Sequence, residues 1–123
     1  MILVDSCGWL EYLADGANGG AYAKALEKLN EVLVPTICIL EVFKKVLQER
    51  GEGPALEVAA LMQRGSVVEL DATIAMNAAK LGSELGLPLA DSVILATARA
   101  HQAPVWTQDA HFKGLSGVRF ISA

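Results

Sequence analysis

Five short apolar runs alternate with longer stretches of helical periodicity, and this alternation limits the possible folds more than any other feature. The apolar runs cover residues 2–4, 32–34, 67–70, 105–107 and 118–121. The stretches between them predict helices over residues 7–14, 21–30, 35–50, 55–64, 72–85 and 92–100. Strands that alternate with helices form parallel sheets, and strands that are apolar throughout are buried on both faces. We therefore predict an α/β fold: a three-layer αβα sandwich around a short-stranded parallel sheet.

The length and composition predict one folded domain over residues 1–123. A chain of 123 residues lies within the common size range of single domains. Hydrophobic residues make up 53% of the chain and charged residues 20%, which excludes intrinsic disorder. The longest unbroken apolar run covers only residues 58–62, whereas a membrane-spanning helix needs about 20 residues. With no export signal in the sequence, we expect a cytoplasmic protein in which Cys7 and Cys38 are reduced.

The formal net charge of −4 argues against one class of protein, those that coat DNA without regard to sequence. Such proteins need a basic face to neutralise phosphates. A nuclease remains possible, because clustered acids can hold a divalent cation that becomes the largest local charge. The positions of the 14 acidic residues therefore decide the interpretation.

Several acids lie where ligands bind in open parallel sheets, at the carboxyl ends of strands. Asp5 follows the first predicted strand and Asp109 follows the fourth. Asp71, Asp91 and Asp109 each also have a local explanation as the cap of a following helix or turn. Asp5 is harder to explain as a cap, because Ser6 is available to cap the first helix.

Glu41 lies within the predicted helix 35–50, and its periodicity favours a solvent-facing position. On the helical wheel it falls beside Lys44, Lys45 and Gln48, and it forms a favourable i,i+4 pair with Lys45. The alternative is that Glu41 emerges from a buried first turn, because residues 37–40 are all apolar. The sequence alone leaves both interpretations open.

Other catalytic chemistry is poorly supported by the sequence. No complete dinucleotide-binding loop, Walker loop or HExxH motif occurs. His101 and His111 have no ligand partner at metal-binding spacing along the chain. Cys7 lies near a strand end and at the N-terminus of a predicted helix, a position that can lower a thiol pKa, but no arginine follows within the next turn or two to complete a phosphatase site.

Four segments, in order, resemble the PIN-domain family, and more narrowly the VapC-type toxins of prokaryotic toxin–antitoxin pairs. These segments are ILVDSCGWLEYL at residues 2–13, VPT and LEV within residues 34–42, LADSVILATA at 89–98 and TQDAHF at 107–112. Each segment alone is weakly specific, whereas the four in order are more so. The resemblance implies a PIN-like αβα sandwich and a ribonuclease that depends on Mg²⁺ or Mn²⁺.

The resemblance also implies a set of site residues. Four carboxylates would bind the metal directly or through water: Asp5, Glu41, Asp91 and Asp109. The hydroxyls of Ser6 and Thr107 would support the site. Cys7 departs from the serine or asparagine usual in the family, and His111 is given no catalytic role.

The partners implied by the resemblance are an RNA substrate, a small antitoxin that covers the active groove, and a second copy of the chain in a homodimer. Candidate cations for RNA contacts are Lys44, Lys45, Arg99 and Lys113. The apolar flank of helix 35–50 suits either a partner helix or the core of the chain itself; it comprises Ile39, Val42, Phe43 and Val46.

Two other functions remain open at this stage. One is a PIN nuclease that processes RNA and is not a toxin. The other is a catalytically silent α/β binding module whose acids are helix caps and ion-pair partners. Metal ligands must meet in space, whereas caps need not, so convergence of the four acids separates the silent module from the nucleases.

Overall fold

A computed structural model of the protein describes residues 1–122 and contains one five-stranded sheet. All the strand pairings are parallel, and the strand order is β3-β2-β1-β4-β5. The strands are β1 (Ile2–Val4), β2 (Val32–Pro35), β3 (Ser66–Val68), β4 (Val105–Thr107) and β5 (Val118–Phe120). This order places β1 and β4 side by side at the centre, so the residues that follow these two strands become neighbours.

Six α-helices surround the sheet and pack largely as consecutive pairs, α1 with α2, α3 with α4, and α5 with α6. They are α1 (Ser6–Leu13), α2 (Gly19–Ala25), α3 (Thr36–Arg50), α4 (Glu52–Met62), α5 (Ala72–Leu85) and α6 (Leu89–Ala100). Two 3₁₀ turns, Leu29–Glu31 and Ala110–Phe112, complete the regular structure. The parallel sheet with helices packed around it confirms the predicted α/β fold. Among residues 1–122, no helix has the length and apolar character needed to cross a membrane.

The central strands form the core, as their uniformly apolar sequences predict. Leu3 and Val4 of β1 are fully buried, as are Val34 of β2 and Val105 of β4. The outer strands β3 and β5 are only partly buried, because each has a neighbour on one side alone. Burial in the core therefore fixes the positions of β1 and β4, the two strands that are followed by Asp5 and Asp109.

The helix predicted over residues 55–64 begins earlier than expected, at Glu52. Gly51 ends α3 with a φ of 90°, a left-handed conformation that favours glycine. The chain then turns directly into α4, and Pro54 lies in its first turn, where no backbone N–H is needed. Gly51 alone therefore separates the two helices, and the Glu-Gly-Pro sequence that follows it belongs to α4.

The helix predicted over residues 21–30 was also placed wrongly. The observed α2 runs from Gly19 to Ala25, and a separate 3₁₀ turn leads into β2. Two strands are shorter at their C-terminal ends than predicted. β3 ends at Val68 and β5 at Phe120, whereas the predicted ends are residues 70 and 121.

The start of α6 changes the interpretation of Asp91. We predicted that Asp91 opens this helix, but α6 begins at Leu89, directly after Pro88. The Ser92 hydroxyl donates to the Leu89 carbonyl at 2.7 Å, inside the helix. Asp91 therefore lies within the first turn and is not the cap. The predicted cap of α5 is confirmed, since the Asp71 carboxylate accepts from the Ile74 backbone N–H at 2.9 Å.

Candidate active site

Asp5 lies at the carboxyl end of β1 and is 3% exposed. Its Oδ1 accepts from the Ser6 backbone N–H at 2.7 Å, so Asp5, and not Ser6 as predicted, caps α1. Its Oδ2 accepts from the Thr107 hydroxyl at 2.8 Å and from the Cys7 thiol at 3.2 Å. Both oxygens are therefore fixed in direction by three donors.

Burial controls the ionisation of Asp5. Removal from water raises the pKa of the Asp5 carboxyl above its usual value of 3.8, and the negative charge of Asp109 raises it further. Hydrogen bonds from Thr107, Cys7 and Ser6 oppose this shift without cancelling it. In the absence of a cation, the charged form of this carboxyl is disfavoured.

Glu41 is only partly exposed, and its side chain contacts Ser6, the second residue after β1. Its Oε1 accepts from the Ser6 hydroxyl at 2.7 Å. The predicted pair with Lys45 is wrong, because Lys45 pairs with Glu49 at 3.1 Å. Contact between α1 and α3 brings Ser6 to Glu41, and helical periodicity within α3 carries no information about that contact.

Asp91, Asp109 and His111 form a compact group from two parts of the chain. Asp109 Oδ1 accepts from the His111 backbone N–H at 3.0 Å and so caps the 3₁₀ turn after β4. The Nδ1 atom of His111 lies 3.0 Å from Asp91 Oδ2 and 3.0 Å from Asp109 Oδ1. The sequence shows no ligand partner for His111 at metal-binding spacing along the chain. The fold nevertheless supplies one, because Asp91 of α6, about 20 residues away, contacts its ring.

The charges within this group perturb one another. Burial, followed by the charges of Asp109 and Asp5, raises the pKa of Asp91 to about 6. The charge of Asp109 raises the pKa of His111, and Asp91 adds to that effect. Negative potential therefore accumulates at this edge of the sheet.

Ser6 and Thr107, the two residues predicted to support the site, each link two of the predicted acids. Ser6 donates to Glu41 through its side chain and to Asp5 through its backbone N–H. The Thr107 hydroxyl donates to Asp5 and accepts from the Asp109 backbone N–H at 3.0 Å. With His111 between Asp109 and Asp91, hydrogen bonds connect all four acids in one continuous path.

The donor set of this site suits a hard divalent cation. Among residues 1–122, no lysine or arginine forms an ion pair with any of the four acids. Carboxylate oxygens are the ligands that Mg²⁺ and Mn²⁺ prefer. Four carboxylates with His111 as their one basic partner among residues 1–122 leave negative charge that a cation can balance, so these residues fit a metal ion.

Cys7 takes part in the site as a neutral thiol. Burial, with a further contribution from the Asp5 charge, raises the pKa of the Cys7 thiol to about 12. This contradicts the lowered pKa that its position at a helix N-terminus could have produced. Its Sγ lies 3.2 Å from Asp5 Oδ2 and 3.3 Å from Thr107 Oγ1. Cysteine here supplies a hydrogen bond to Asp5.

Sequence reasoning missed one polar network beside Asp109. The Gln108 amide donates to Glu11 Oε2 at 2.6 Å and accepts from the Asn18 amide at 3.0 Å. These contacts tie the segment after β4 to α1 and to the loop before α2. The only indication in the sequence was that Gln108 precedes Asp109.

The predicted cations lie in different surroundings. Lys44 and Lys113 are exposed, and the Lys113 ammonium lies 5.5 Å from the centre of the Phe120 ring. Arg99 donates to the Ser116 carbonyl at 3.3 Å. Lys45 is engaged with Glu49, which leaves it less available to a substrate.

The sequence pattern of the PIN domain matches residues 2–118, nearly the whole chain. The chain belongs to the PIN domain family. This membership confirms the family resemblance on which the site prediction rests. Among curated proteins, no sequence matches the chain significantly.

Solved structures with the same PIN fold include proteins of toxin–antitoxin systems. A toxin–antitoxin complex from Klebsiella pneumoniae matches with a TM-score of 0.84 and 22% identity, covering 100% of both chains. VapC20 from Mycobacterium tuberculosis, described as a toxin that cleaves the sarcin–ricin loop, matches at 0.78 and 20%, covering 97% of this chain and 99% of VapC20. FitAcB from Neisseria gonorrhoeae matches at 0.58 and 25%, covering 90% and 89%. The VapC-like fold predicted from the four segments is thereby confirmed.

Proposed function

We propose that this chain is a single PIN domain over residues 1–123 that acts as a metal-dependent endoribonuclease, the toxin of a type II toxin–antitoxin pair. The observation that carries the proposal is the convergence of four carboxylates from separate elements along one hydrogen-bond path, in which one oxygen each of Asp91 and Asp109 and a ring nitrogen of His111 lie within 4.8 Å of one another. The four acids are those predicted from sequence: Asp5, Glu41, Asp91 and Asp109. A silent module whose acids serve only as caps and ion-pair partners has no need for this convergence.

The four carboxylates would hold Mg²⁺ or Mn²⁺, directly or through water. A bound divalent ion polarises a phosphodiester and activates water for attack on phosphorus. Ser6 and Thr107 keep the carboxylates of Glu41 and Asp5 in fixed directions. Asp5 and Asp91 are buried while Glu41 and Asp109 are partly exposed, so substrate would approach from the side of Glu41 and Asp109.

An RNA substrate is supported by membership of the PIN domain family and by the likeness to VapC20, a toxin described as cleaving the sarcin–ricin loop. The exposed Lys44 and Lys113 are available to contact RNA phosphates. Cleavage in this family leaves a 5′-phosphate and a 3′-hydroxyl, and we expect the same ends here. An RNA-processing role would use the same site, and the substrate alone would distinguish it.

A small antitoxin partner is supported by the structural neighbours that are toxin–antitoxin complexes. The predicted apolar flank of α3 largely packs inward: Val42 and Val46 are buried, and Ile39 and Phe43 pack on the core. A groove between α1, α3 and α4 remains open and is lined partly by Leu13, Pro54 and Val58. We propose this groove as an antitoxin contact, homodimerisation as in VapC-type proteins, and a cytoplasmic location.

The experiment is cleavage of a labelled single-stranded RNA by purified protein freed of antitoxin. We expect cleavage in Mg²⁺ or Mn²⁺ that stops in EDTA, with 5′-phosphate ends. The Asp109→Asn variant should lose the activity. The matched control Asp71→Asn changes an acid that caps α5 outside the site, and it should cleave like the wild type. Cleavage that persists in EDTA, or that survives in Asp109→Asn, contradicts the proposal.

The toxin role has its own test. Expression of the wild-type chain should arrest growth of a bacterial host, and co-expression of a short neighbouring gene should restore it. The Asp109→Asn variant should be harmless. Equal toxicity of both proteins would contradict a toxin that acts through this site.

A further inference from the structure

His111 places a ring nitrogen beside two acids of the proposed metal site, and neither the family resemblance nor the sequence pattern gave it a role. Its Nδ1 atom and one oxygen each of Asp91 and Asp109 lie within 4.8 Å of one another. The 58% exposed side chain leaves the ring reachable from solvent. The ring therefore stands at the mouth of the site, beside two of the four acids.

Two of the three separations among these atoms match those of neighbouring ligands around one ion. In an octahedral shell with bonds of about 2.1 Å, adjacent ligand atoms lie ~3.0 Å apart. His111 Nδ1 lies 3.0 Å from an oxygen of Asp91 and 3.0 Å from an oxygen of Asp109. The two carboxylate oxygens lie within 4.8 Å of each other, so His111 Nδ1 is placed to occupy a ligand position beside each of them.

The backbone fixes the residue from which the ring projects, and the contacts with Asp91 and Asp109 direct the ring itself. Asp109 caps the 3₁₀ turn by accepting from the His111 N–H, and the next residue, Phe112, is fully buried in the core. These two attachments flank His111 and fix its position along the turn. A ring placed in advance loses little conformational freedom when it binds an ion.

We propose that His111 is a ligand of the ion held by Asp91 and Asp109, and that its nitrogen makes the site favour Mn²⁺ over Mg²⁺. The inference rests on the metal site of the proposed function and deepens it. Mg²⁺ is hard and prefers a shell of oxygen atoms. Imidazole nitrogen is a ligand of first-row transition metals, and Mn²⁺, although it also prefers oxygen ligands, is the first member of that series, whereas Mg²⁺ lies outside it.

The competing explanation is that His111 only balances the charges of Asp91 and Asp109. The two explanations predict opposite effects of removing the ring. If His111 is a ligand, its loss weakens Mn²⁺ binding. If it is only a counter-charge that the metal must displace, its loss leaves Mn²⁺ binding equal or stronger.

The test uses Mn²⁺ alone, without RNA, and the two histidines of the chain provide a matched pair. Electron paramagnetic resonance measures free Mn²⁺ in a titration, and its pulsed form detects a nitrogen nucleus bound to the ion. His111→Ala should weaken Mn²⁺ binding about tenfold or more, keep Mg²⁺ binding within about twofold, and abolish the nitrogen coupling. The control His101→Ala, at the end of α6, should keep both the affinity and the coupling.

Each outcome separates this inference from the proposed function. Wild-type protein that binds Mn²⁺ without nitrogen coupling overturns the ligand role of His111, as does a His111→Ala variant that binds Mn²⁺ as tightly as the wild type. In both cases a loss of binding in Asp109→Asn would leave the nuclease proposal intact. Wild-type protein that binds neither ion overturns the metal site and the inference together.

Discussion

At the scale of the residue, two of the site acids serve as helix caps and as members of the cluster at once. Asp5 uses one carboxylate oxygen to cap α1 and turns the other toward Thr107 and Cys7. Asp109 caps its 3₁₀ turn and contacts the His111 ring. A capping explanation for an acid in the sequence therefore does not exclude a ligand role, because a carboxylate has two oxygens and several lone pairs.

Glu41 gives the sharpest test of a single side chain. Glu41→Gln keeps the shape and can still accept from Ser6, but it removes the charge that a cation needs. We expect RNA cleavage to fall at least about tenfold, with a change in the free energy of unfolding below ~1 kcal/mol. The control Glu49→Gln makes the same change on the same helix at an acid outside the site, breaks only the exposed pair with Lys45, and should leave cleavage unchanged. Wild-type cleavage in Glu41→Gln would remove Glu41 from the site.

The raised pKa of Asp91 determines how the free energy of unfolding of the metal-free protein should depend on pH. Its pKa rises from 3.8 to about 6 on folding, so between these values the folded state binds more protons than the unfolded state. The free energy of unfolding should therefore fall as the pH rises from 4 to 6. The raised pKa of His111 acts in the same direction, since its contribution is present below pH 6.5 and is lost as the pH rises through the folded pKa.

The measurement is urea denaturation in EDTA at several pH values, for the wild type and Asp91→Asn. The substituted protein should show a flatter decline, because the titrating group has been removed. Identical pH dependence in both proteins would show that Asp91 ionises normally in the fold.

At the scale of the element, the packing of α1 against α2 determines the direction of the site residues on α1. Gly8 of α1 lies against the buried ring of Tyr22 in α2. A Cβ atom at Gly8 would lie 2.5 Å from Tyr22 Cε1 and 2.7 Å from Val4 Cγ1. Both neighbours are fully buried, so neither can move away without disturbing the core.

Gly8→Ala should therefore destabilise the protein by roughly 1–3 kcal/mol, despite the better helix propensity of alanine, which is worth about 0.5–1 kcal/mol. Gly20→Ala in α2 is the control, because a Cβ there meets no atom within 4 Å, and it should be neutral or slightly stabilising. Urea denaturation of the wild type and of the two glycine variants measures the free energy of unfolding of each. Equal stability of the two variants would contradict the close packing described here.

The elements differ in how far their sequences predict them. β1 and β4 were predicted to the residue, because uniformly apolar runs between polar residues have clear ends. The first residues of α4 and α6 differ from the prediction, because Pro54 and Pro88 look like breaks in the sequence. Proline is nevertheless tolerated in the first turn of a helix or just before it. Contacts between elements account for the other errors, as with Glu41, whose partner is Ser6 of α1 and not a residue of its own helix.

At the scale of the whole molecule, topology creates the site. Adjacent parallel strands β1 and β4 bring Asp5 and Asp109 to one edge, which the rule for carboxyl ends of strands anticipates. The same rule says nothing about Glu41 or Asp91, which arrive from helices, and their place was inferred from family resemblance. The position of His111 depends on tertiary contact with Asp91 and could not be derived from spacing along the chain.

The convergence of the acids costs stability when no cation is present. Asp5 shows this most clearly, because burial and the Asp109 charge both disfavour its ionised form. Asn in its place resembles the protonated acid and can still cap α1. We therefore expect Asp5→Asn to melt no lower than the wild type in EDTA, although it should not cleave RNA.

The most direct test of the metal site is a pair of thermal melts for each protein, in EDTA and in millimolar Mn²⁺. Binding at a hundredfold excess over Kd stabilises a native protein by about 2.7 kcal/mol, which corresponds to a rise of several degrees in Tm for a chain of this size. We predict that rise for the wild type and a clearly smaller one for Asp5→Asn. An equal Mn²⁺-induced rise in both proteins would contradict Asp5 as a metal ligand and, with it, a metal site that includes all four acids.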